Sequence, residues 1–302
     1  MEIRGTDRFR QGGRAGARGP GVTPALPPEW GLYDLKRAED TDIATIWRAR
    51  QPGGQEVAVK VYHNRRMGGE ARGAELLAAW SGRGAVDIYG DAPGILLMPW
   101  LEGPSLGDVA RAGRDAEATA RLAKVAQRLH TGDAPEVARL PSLDEWFTRL
   151  LTLSPPPQWP QFGRRAVARA TVLAKQLLAS QRDITPLHGD LHHDNVRVGP
   201  SGDTVYDAKG ILGERTFELT NAFRNPSGAP ALLRDPDRAR ACTDVYAAAL
   251  SVDRHRLMQW AAAKCALSIA WRTKLDRVEA EFDLLEMLLD LAESPDPGAS
   301  GA

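Results

Sequence analysis

The chain has 302 residues, of which 43% are hydrophobic and 26% charged, so it can bury a core and has the composition of a globular protein. Lysine plus arginine and aspartate plus glutamate number 39 each, and this zero net charge gives no overall electrostatic footprint for nucleic acid. No apolar run reaches the roughly 18 residues of a membrane span, and no apolar segment follows the N-terminal arginines as in a secretory signal. We therefore expect a cytoplasmic protein that binds neither nucleic acid nor membrane.

Both ends of the chain contain few residues that could form a core. Residues 1–28 are rich in Gly, Arg and Pro, and residues 294–302 read SPDPGASGA. We predict disordered tails over both ranges. Cys242 and Cys265 lie in helical sequence, and a chain this poor in cysteine indicates two buried thiols rather than a disulfide.

Residues 29–101 have the pattern of a small sheet with one helix. Alternating apolar residues predict strands at LYDLKRAE, ATIWRAR and EVAVKVY, the last two joined by the turn residues 52–54. A helix is predicted from about Gly69 to Trp80. Two short strands, VDIYG and GILLMPW, follow on either side of a turn at residues 91–93. We assign this segment to an N-terminal lobe.

Residues 102–293 are mainly helical. The apolar spacing predicts helices at DAEATARLAKVAQRLH, SLDEWFTRLLTL and RRAVARATVLAKQLLAS, and throughout residues 235–293. One insert, HGDLHHDNVRVGPSGDTVYDAKG, instead predicts a loop and then a hairpin. The predicted fold class is therefore α+β, with a small antiparallel-sheet N-lobe, a larger helical C-lobe and a ligand cleft between them.

The insert fixes three polar side chains. Asp190 lies in the loop, Asn195 at the exit of the loop and Asp207 at the end of the returning strand, so the hairpin brings Asn195 and Asp207 together. An amide oxygen beside a carboxylate forms a pair of hard ligands suited to Mg²⁺, which keeps waters and phosphate oxygens as its other ligands. Asp190 can then accept the proton of an incoming hydroxyl, which is the arrangement that phosphoryl transfer needs.

The pattern HxDxxxxN, followed by a hairpin and an aspartate, is similar to the catalytic and metal loops of protein-kinase-like folds, specifically the aminoglycoside phosphotransferase family. The stretch LHGDLHHDN…YDAKGILGERTFELTNAFRNP resembles its streptomycin and hydroxyurea phosphotransferase branch. Ala208 stands where that branch usually has Pro, and Glu218 stands where it usually has Asp. The longer side chain of Glu218 raises the question of how the loop after the metal site is anchored. The resemblance implies a protein-kinase-like fold, catalysis by Asp190 and a mainly structural role for His188.

Lys60 lies in the middle of an alternating strand, where a lysine needs an anionic partner. In the kinase fold this residue contacts the α- and β-phosphates of ATP and pairs with a glutamate on the next helix. Two glutamates compete for that role. The helix phase directs Glu70 toward the core side and Glu75 toward water, whereas the spacing from Lys60 favours Glu75. We lean slightly to Glu70.

The connector between the lobes resembles the adenine hinge of the same family. Met98 is expected to pack behind the base, Pro99 to accept from the adenine amino group through its carbonyl, and Leu101 to donate its N–H to the ring. No GxGxxG lies between the first two strands. Backbone N–H groups and the hydroxyls of Thr41 and Thr45 are the candidates for covering the phosphates there.

These features predict an ATP- and Mg²⁺-dependent phosphotransferase that moves the γ-phosphate to a hydroxyl of a small molecule, an aminoglycoside-like antibiotic or a related metabolite. The alternatives are a kinase that acts on a protein or other macromolecule, and a catalytically silent nucleotide-binding relative. We expect a monomer or weak dimer. Acidic residues on the last helices are either contacts for a cationic acceptor or a solvated face; they are Asp244, Asp253, Asp276, Glu279 and Glu281.

Overall fold

The computed structural model describes residues 24–63, 67, 70–200 and 202–294, without the side chains of 275–277. The predicted tails therefore lie mostly outside the described residues. Residues 24–28 were assigned to the N-terminal tail, but Leu26 packs against the apolar cluster of the sheet. Part of the predicted tail therefore packs on the sheet, because burial of this apolar side chain is favourable.

The N-lobe is a five-stranded antiparallel sheet with the strand order β1-β2-β3-β5-β4. One helix, α1, connects β3 to β4. The elements are β1 (Tyr33–Asp40), β2 (Ala44–Arg50), β3 (Glu56–Tyr62), α1 (Glu70–Ala79), β4 (Gly90–Ala92) and β5 (Ile95–Pro99). The predicted sheet with one helix is confirmed.

The strand predicted at VDIYG is wrong in position. β4 begins only at Gly90, and the turn that follows it lies at residues 93–94 rather than 91–93. The amide of Val86 donates to the carbonyl of Val205 at 2.9 Å, in the other lobe. The start of this segment is therefore paired with the C-lobe, which a local alternation pattern does not reveal.

The C-lobe packs its helices around one large apolar core that includes Trp260, Phe147 and Phe217. Its elements are α2 (Leu106–Arg111), α3 (Asp115–Leu129), α4 (Leu143–Leu151), α5 (Gln161–Ala179), β6 (Ile184–Leu187), β7 (Val196–Gly199), β8 (Gly202–Val205), β9 (Ile211–Glu214), α6 (Pro230–Leu233), α7 (Pro236–Leu250), α8 (Arg254–Arg272) and α9 (Leu275–Glu293). β7 and β8 form the predicted hairpin. α8 is buried on nearly all sides and forms the centre of the lobe.

The predicted continuous helical segment at 235–293 is three helices. Ser251 and Thr273 end α7 and α8 in the left-handed conformation, with φ of 55° and 48°. Asp253 then caps α8 by accepting from the amide of Arg256. Cys242 and Cys265 are buried free thiols, as predicted. Within the described part of the chain, no helix is both long and apolar enough to cross a membrane.

Candidate active site

A cavity of about 960 Å³ lies between the sheet and the helical lobe. One end is lined by apolar side chains of the sheet, such as Ala58 and Leu96, and the other by residues of α4 and α8. Most of the predicted site residues line it, namely Thr41, Lys60, Glu70, Met98, Pro99, Leu101, Asp190, Asn195 and Asp207. His188, Thr45 and Glu75 are not among the lining residues. One cleft therefore collects the hinge, the lysine and the catalytic loop.

Lys60 lies between two carboxylates. Its Nζ is 2.9 Å from Glu70 Oε2 and 2.5 Å from Asp207 Oδ1. Burial acts to lower the pKa of Lys60, but Asp207 and Glu70 outweigh it and the pKa is raised, so the ammonium is charged at neutral pH. Glu75 points into solvent on the outer face of α1. The helix phase, and not the sequence spacing, identifies the glutamate that lies against Lys60.

A second lysine in this cluster was missed from the sequence. Lys209 Nζ lies 2.6 Å from Glu70 Oε1, so each oxygen of Glu70 contacts one lysine. Burial opposes its charge, but Asp207 and Glu70 raise the pKa of Lys209. Its place in the YDAKG motif, two residues after Asp207, was the signal that could have indicated it.

The candidate catalytic loop, residues 188–195, follows β6, and two side chains donate hydrogen bonds to Asp190. Asn195 Nδ2 donates to the backbone carbonyl of Asp190 at 3.0 Å, and Asn221 Nδ2 donates to Asp190 Oδ1 at 2.6 Å. Asn221 was not identified as a site residue from the sequence. The stretch that resembles the family contains this asparagine, but only the fold shows that it reaches Asp190.

His188 connects the candidate catalytic loop to the candidate metal loop, residues 206–210, from a buried position outside the cavity. It is 0% exposed, its Nδ1 accepts from the amide of Asp190 at 3.2 Å, and its Nε2 donates to the carbonyl of Tyr206 at 3.1 Å. Burial lowers the pKa of His188, in keeping with a neutral ring that uses both nitrogens. His188 was grouped with Asp190 and Lys60 as a catalytic candidate with a mainly structural role; it is not among the residues that line the cavity, and its contacts are those of a positioning residue.

The longer acidic side chain at Glu218 still anchors the loop. Its Oε2 accepts from the backbone N–H of His188 at 3.1 Å and lies 2.6 Å from His130 Nε2. Glu218 is 2% exposed, so these bonds form away from water. The exchange of Asp for Glu at this position leaves the catalytic loop held by a carboxylate.

Asn195 and Asp207 are positioned by the β7–β8 hairpin. The amide of Tyr206 donates to the carbonyl of Asn195 at 3.0 Å, and Asp207 follows in the left-handed conformation with φ of 66°. Because the Asn195 amide nitrogen is bonded to Asp190, its side-chain oxygen is the end left as a ligand. No cluster of three or more His, Cys, Asp or Glu side chains within the described residues is arranged for a metal. One amide oxygen and one carboxylate nevertheless fit Mg²⁺, which takes few protein ligands beside phosphate.

The hydroxyls of Thr41 and Thr45, expected to cover the phosphates, are bonded within the segment that joins β1 to β2. Thr41 Oγ1 donates to the carbonyl of Ala44 at 2.9 Å and accepts from its amide at 3.0 Å, which closes the turn. Thr45 Oγ1 donates to Asp40 Oδ1 at 2.7 Å and does not line the cavity. The prediction that the Thr45 hydroxyl covers the phosphates is therefore wrong, because this hydroxyl is bonded to a neighbouring strand residue.

Of the acidic residues named on the last helices, Asp244, Asp253, Glu279 and Glu281 are not among the residues that line the cavity, and the side chain of Asp276 lies outside the described part of the chain. Asp244 pairs with Arg254, Asp253 caps α8 and Glu281 pairs with Arg224. The end of the cavity formed by α4 and α8 is the candidate acceptor end. It is lined by side chains that the sequence did not single out; they are Glu145, Trp146, Thr148, Arg149, Thr152, Lys264 and Trp271.

The family model described as aminoglycoside/hydroxyurea antibiotic resistance kinase matches residues 29–275. A streptomycin 3''-kinase of Klebsiella pneumoniae is 38% identical over 212 residues, which is 68% of this chain and 77% of that protein. A choline/ethanolamine kinase family protein of Mesorhizobium loti has a similar fold, with a TM-score of 0.66, 15% identity and coverage of 90% of this chain and 92% of that one.

The aminoglycoside phosphotransferase APH(4)-Ia, solved with AMP-PNP and hygromycin B, has a TM-score of 0.61 at 12% identity and covers 89% of this chain and 95% of its own. Structures this distant in sequence establish the fold, and they confirm the protein-kinase-like architecture. The match to the family model and the sequence identity to the streptomycin kinase carry the assignment further. The chain belongs to the aminoglycoside/hydroxyurea antibiotic resistance kinases, a family of small-molecule phosphotransferases.

Proposed function

We propose that this chain transfers the γ-phosphate of ATP to a hydroxyl of an aminoglycoside antibiotic such as streptomycin, or of hydroxyurea, in a reaction that requires Mg²⁺. The observation that carries the proposal is the convergence of Lys60, Asp190, Asn195 and Asp207 on one cavity. The 38% identity to a streptomycin 3''-kinase supports streptomycin as the first acceptor to examine.

Each of these side chains has a part in the proposed reaction. Lys60, charged and held by Glu70, is placed to contact the phosphates of the nucleotide. Asn195 and Asp207 would hold Mg²⁺, which neutralises phosphate charge when it is bound. Asp190, with Oδ1 fixed by Asn221, accepts the proton of the acceptor hydroxyl and directs its oxygen toward the phosphorus.

The two alternatives have less support. The family match is to kinases of small molecules and gives no support to a macromolecular substrate. A catalytically silent relative is disfavoured because the lysine, the catalytic aspartate and both candidate metal ligands are all retained around the cavity.

Asp190→Asn tests the proposal most directly. This change keeps the size of the side chain but removes the base, so turnover of streptomycin should fall by roughly 10² or more. Affinity for a non-hydrolysable ATP analogue with Mg²⁺ should change by less than about 1 kcal/mol. The measurements are product mass spectrometry and calorimetry. EDTA should abolish wild-type turnover, and Asp207→Ala should do the same at any Mg²⁺ concentration.

The proposal is wrong if the wild-type protein phosphorylates neither streptomycin nor hydroxyurea in the presence of Mg²⁺ and ATP. The role of Asp190 is wrong if Asp190→Asn loses nucleotide affinity while each bound complex keeps its rate.

A further inference from the structure

A buried amine stands at the acceptor end of the cavity. Lys264, on α8, is 1% exposed and yet belongs to the cavity wall. Its Nζ donates to Ser268 Oγ at 3.2 Å and lies 4.7 Å from the centre of the Trp271 ring. Among the residues that the structure describes, no carboxylate oxygen lies within 4.0 Å of this nitrogen. Lys264 thus has an unmatched hydrogen-bonding capacity, unlike Lys60 and Lys209.

The position of this amine is costly to the fold. An ammonium removed from water needs several partners, and one hydroxyl and one indole ring are few. Burial lowers the pKa of Lys264 to about 7, with Asp190 acting in the opposite direction and Arg224 lowering it further. Methionine would fill a similar volume without that cost. A destabilising polar group retained on the wall of a ligand cavity is typical of a functional residue.

We propose that Lys264 is an acceptor-specificity residue, which donates a hydrogen bond to an uncharged oxygen next to the reacting hydroxyl of the acceptor. The inference rests on the proposed function, because it takes Asp190 as the group that faces the reacting hydroxyl. Both side chains line the same cavity, and the charge of Asp190 acts on Lys264. An acceptor that reaches Asp190 therefore meets this amine as well.

The walls around Lys264 indicate which chemical class the amine selects. Trp146 and Trp271 pack edge to face, with ring centres 5.3 Å apart, and both line the cavity. Aromatic walls beside hydrogen-bond donors such as the Lys264 amine fit a sugar ring that presents neighbouring hydroxyls, or a hydroxyl beside a carbonyl. The acceptor class is thus one in which the reacting hydroxyl has an adjacent neutral oxygen.

The same amine opposes a positive group at this depth. Two cations in a site with little water repel each other strongly. At this end of the cavity Glu145, on α4, is an exposed acidic side chain. The amino and guanidino groups of an aminoglycoside should therefore lie toward Glu145, with the hydroxyl-bearing face of the sugar directed toward Lys264.

Lys264→Met tests the inference with the full-length protein and two acceptors, streptomycin and hydroxyurea. The KM for the acceptor should rise by at least about tenfold, because the hydrogen bond from the Lys264 amine is lost and the acceptor oxygen is left unpaired in a buried site. The KM for ATP should change by less than about twofold, and the melting temperature should stay the same or rise. Lys264→Gln keeps a neutral donor and should recover part of the loss. Lys124→Met, the same exchange at an exposed position on α3, is the matched control.

The outcomes separate this inference from the proposed function. If wild type and Lys264→Met both turn over with an equal acceptor KM, Lys264 has no role in specificity while the proposed function stands. If Lys264→Met loses affinity for ATP as well as for the acceptor and melts at a lower temperature, Lys264 is structural and the inference is overturned. If wild type phosphorylates neither acceptor, the proposed function fails and the inference fails with it.

Discussion

The carboxylate of Asp190 is held by a side chain from outside its own loop. Asn221 donates to Asp190 Oδ1 at 2.6 Å, and Arg224 Nη1 donates to Asn221 Oδ1 at 3.3 Å. Arg224 Nη2 in turn donates to Glu281 Oε2 at 2.6 Å on α9. A continuous chain of bonded side chains therefore runs from α9 to Asp190, the proposed base, and restricts the rotamer of its carboxylate. This chain makes Asn221 a positioning residue.

Asn221→Ala should lower kcat by about 10- to 100-fold, because Asp190 loses the donor that orients it. The KM for ATP should stay near the wild-type value. In the double variant Asp190→Asn/Asn221→Ala the second change should add almost nothing, since both act through one carboxylate. Steady-state kinetics on the four proteins checks this prediction. Full additivity of the two losses would show that Asn221 does not act through Asp190.

The buried amine of Lys264 also makes stability depend on pH. Its pKa falls from the ordinary 10.5 to about 7, chiefly through burial, with Asp190 and Cys265 opposing the fall and Arg224 and Arg272 adding to it. Between these values the unfolded chain binds more protons than the folded one, so the destabilisation by Lys264 decreases as pH rises.

The stability gained in Lys264→Met over wild type should therefore be fully present below about pH 7 and should shrink as the pH approaches 10.5. Urea unfolding of both proteins at pH 6.5 and pH 9 measures this difference, and the other titrating groups cancel in the comparison. A gain that is the same at both values would mean that the lysine keeps its ordinary pKa in the folded protein.

At the scale of elements, α1 is fitted against the segment that carries the candidate metal ligand. A Cβ on Gly73 would lie 1.8 Å from the carbonyl oxygen of Ala208, the residue after Asp207. Gly210, with φ of 67°, packs in the same way against the backbone of Arg72. Two glycines therefore allow the N-lobe helix to touch the backbone of the metal loop.

Gly73→Ala should displace α1 from the metal loop, because the added methyl overlaps a backbone atom that cannot rotate away. We expect turnover to fall by about tenfold or more, together with a lower melting temperature. Ala78→Ser, on the exposed face of the same helix, should leave both unchanged. Steady-state kinetics and thermal unfolding of the two variants measure these effects. A fully active Gly73→Ala protein would contradict the close contact between Gly73 and the Ala208 carbonyl.

At the scale of the whole molecule, buried ion pairs join the two lobes across the cleft. Lys60, on β3, contacts Asp207 of the C-lobe, and Glu70, on α1, contacts Lys209 of the C-lobe. The contact between Lys60 and Glu70 closes the network. Removing one carboxylate leaves two cations without their shared partner, which is more costly than the loss of an exposed pair.

Glu70→Gln should lower turnover by at least about tenfold and should also lower the melting temperature, since it loosens both the phosphate-binding lysine and the contact between the lobes. Glu75→Gln is the matched control, because it changes the same residue type on the same helix in an exposed position. The opposite ranking of the two variants would show that Glu70 is not the functional partner of Lys60.

The sequence, with the family resemblance that its motifs carry, determined the α+β division, the hairpin and the candidate site residues Lys60, Asp190, Asn195 and Asp207, which line one cavity. These follow from local patterns, because alternation specifies a strand, a 3.6-residue period specifies a helix, and a short hairpin fixes which side chains meet. The phase of α1 was also sufficient to direct Glu70 inward. Local chemistry was therefore enough for the parts of the site that lie within one or two elements.

Only the tertiary structure decided the rest. Asn221 reaches Asp190, and Lys264 reaches the cavity wall, from different elements, and their sequence neighbours do not indicate either position. Val86 lies in a segment whose alternation predicted a strand of the N-lobe sheet, but its amide is bonded to Val205 of the C-lobe. Asp244 and Glu281, two of the acidic residues on the last helices, pair with arginines that pack beside them. The physical reason is common to all of these: which distant side chain meets which is set by how helices and sheet pack, and packing is not encoded in any short stretch of sequence.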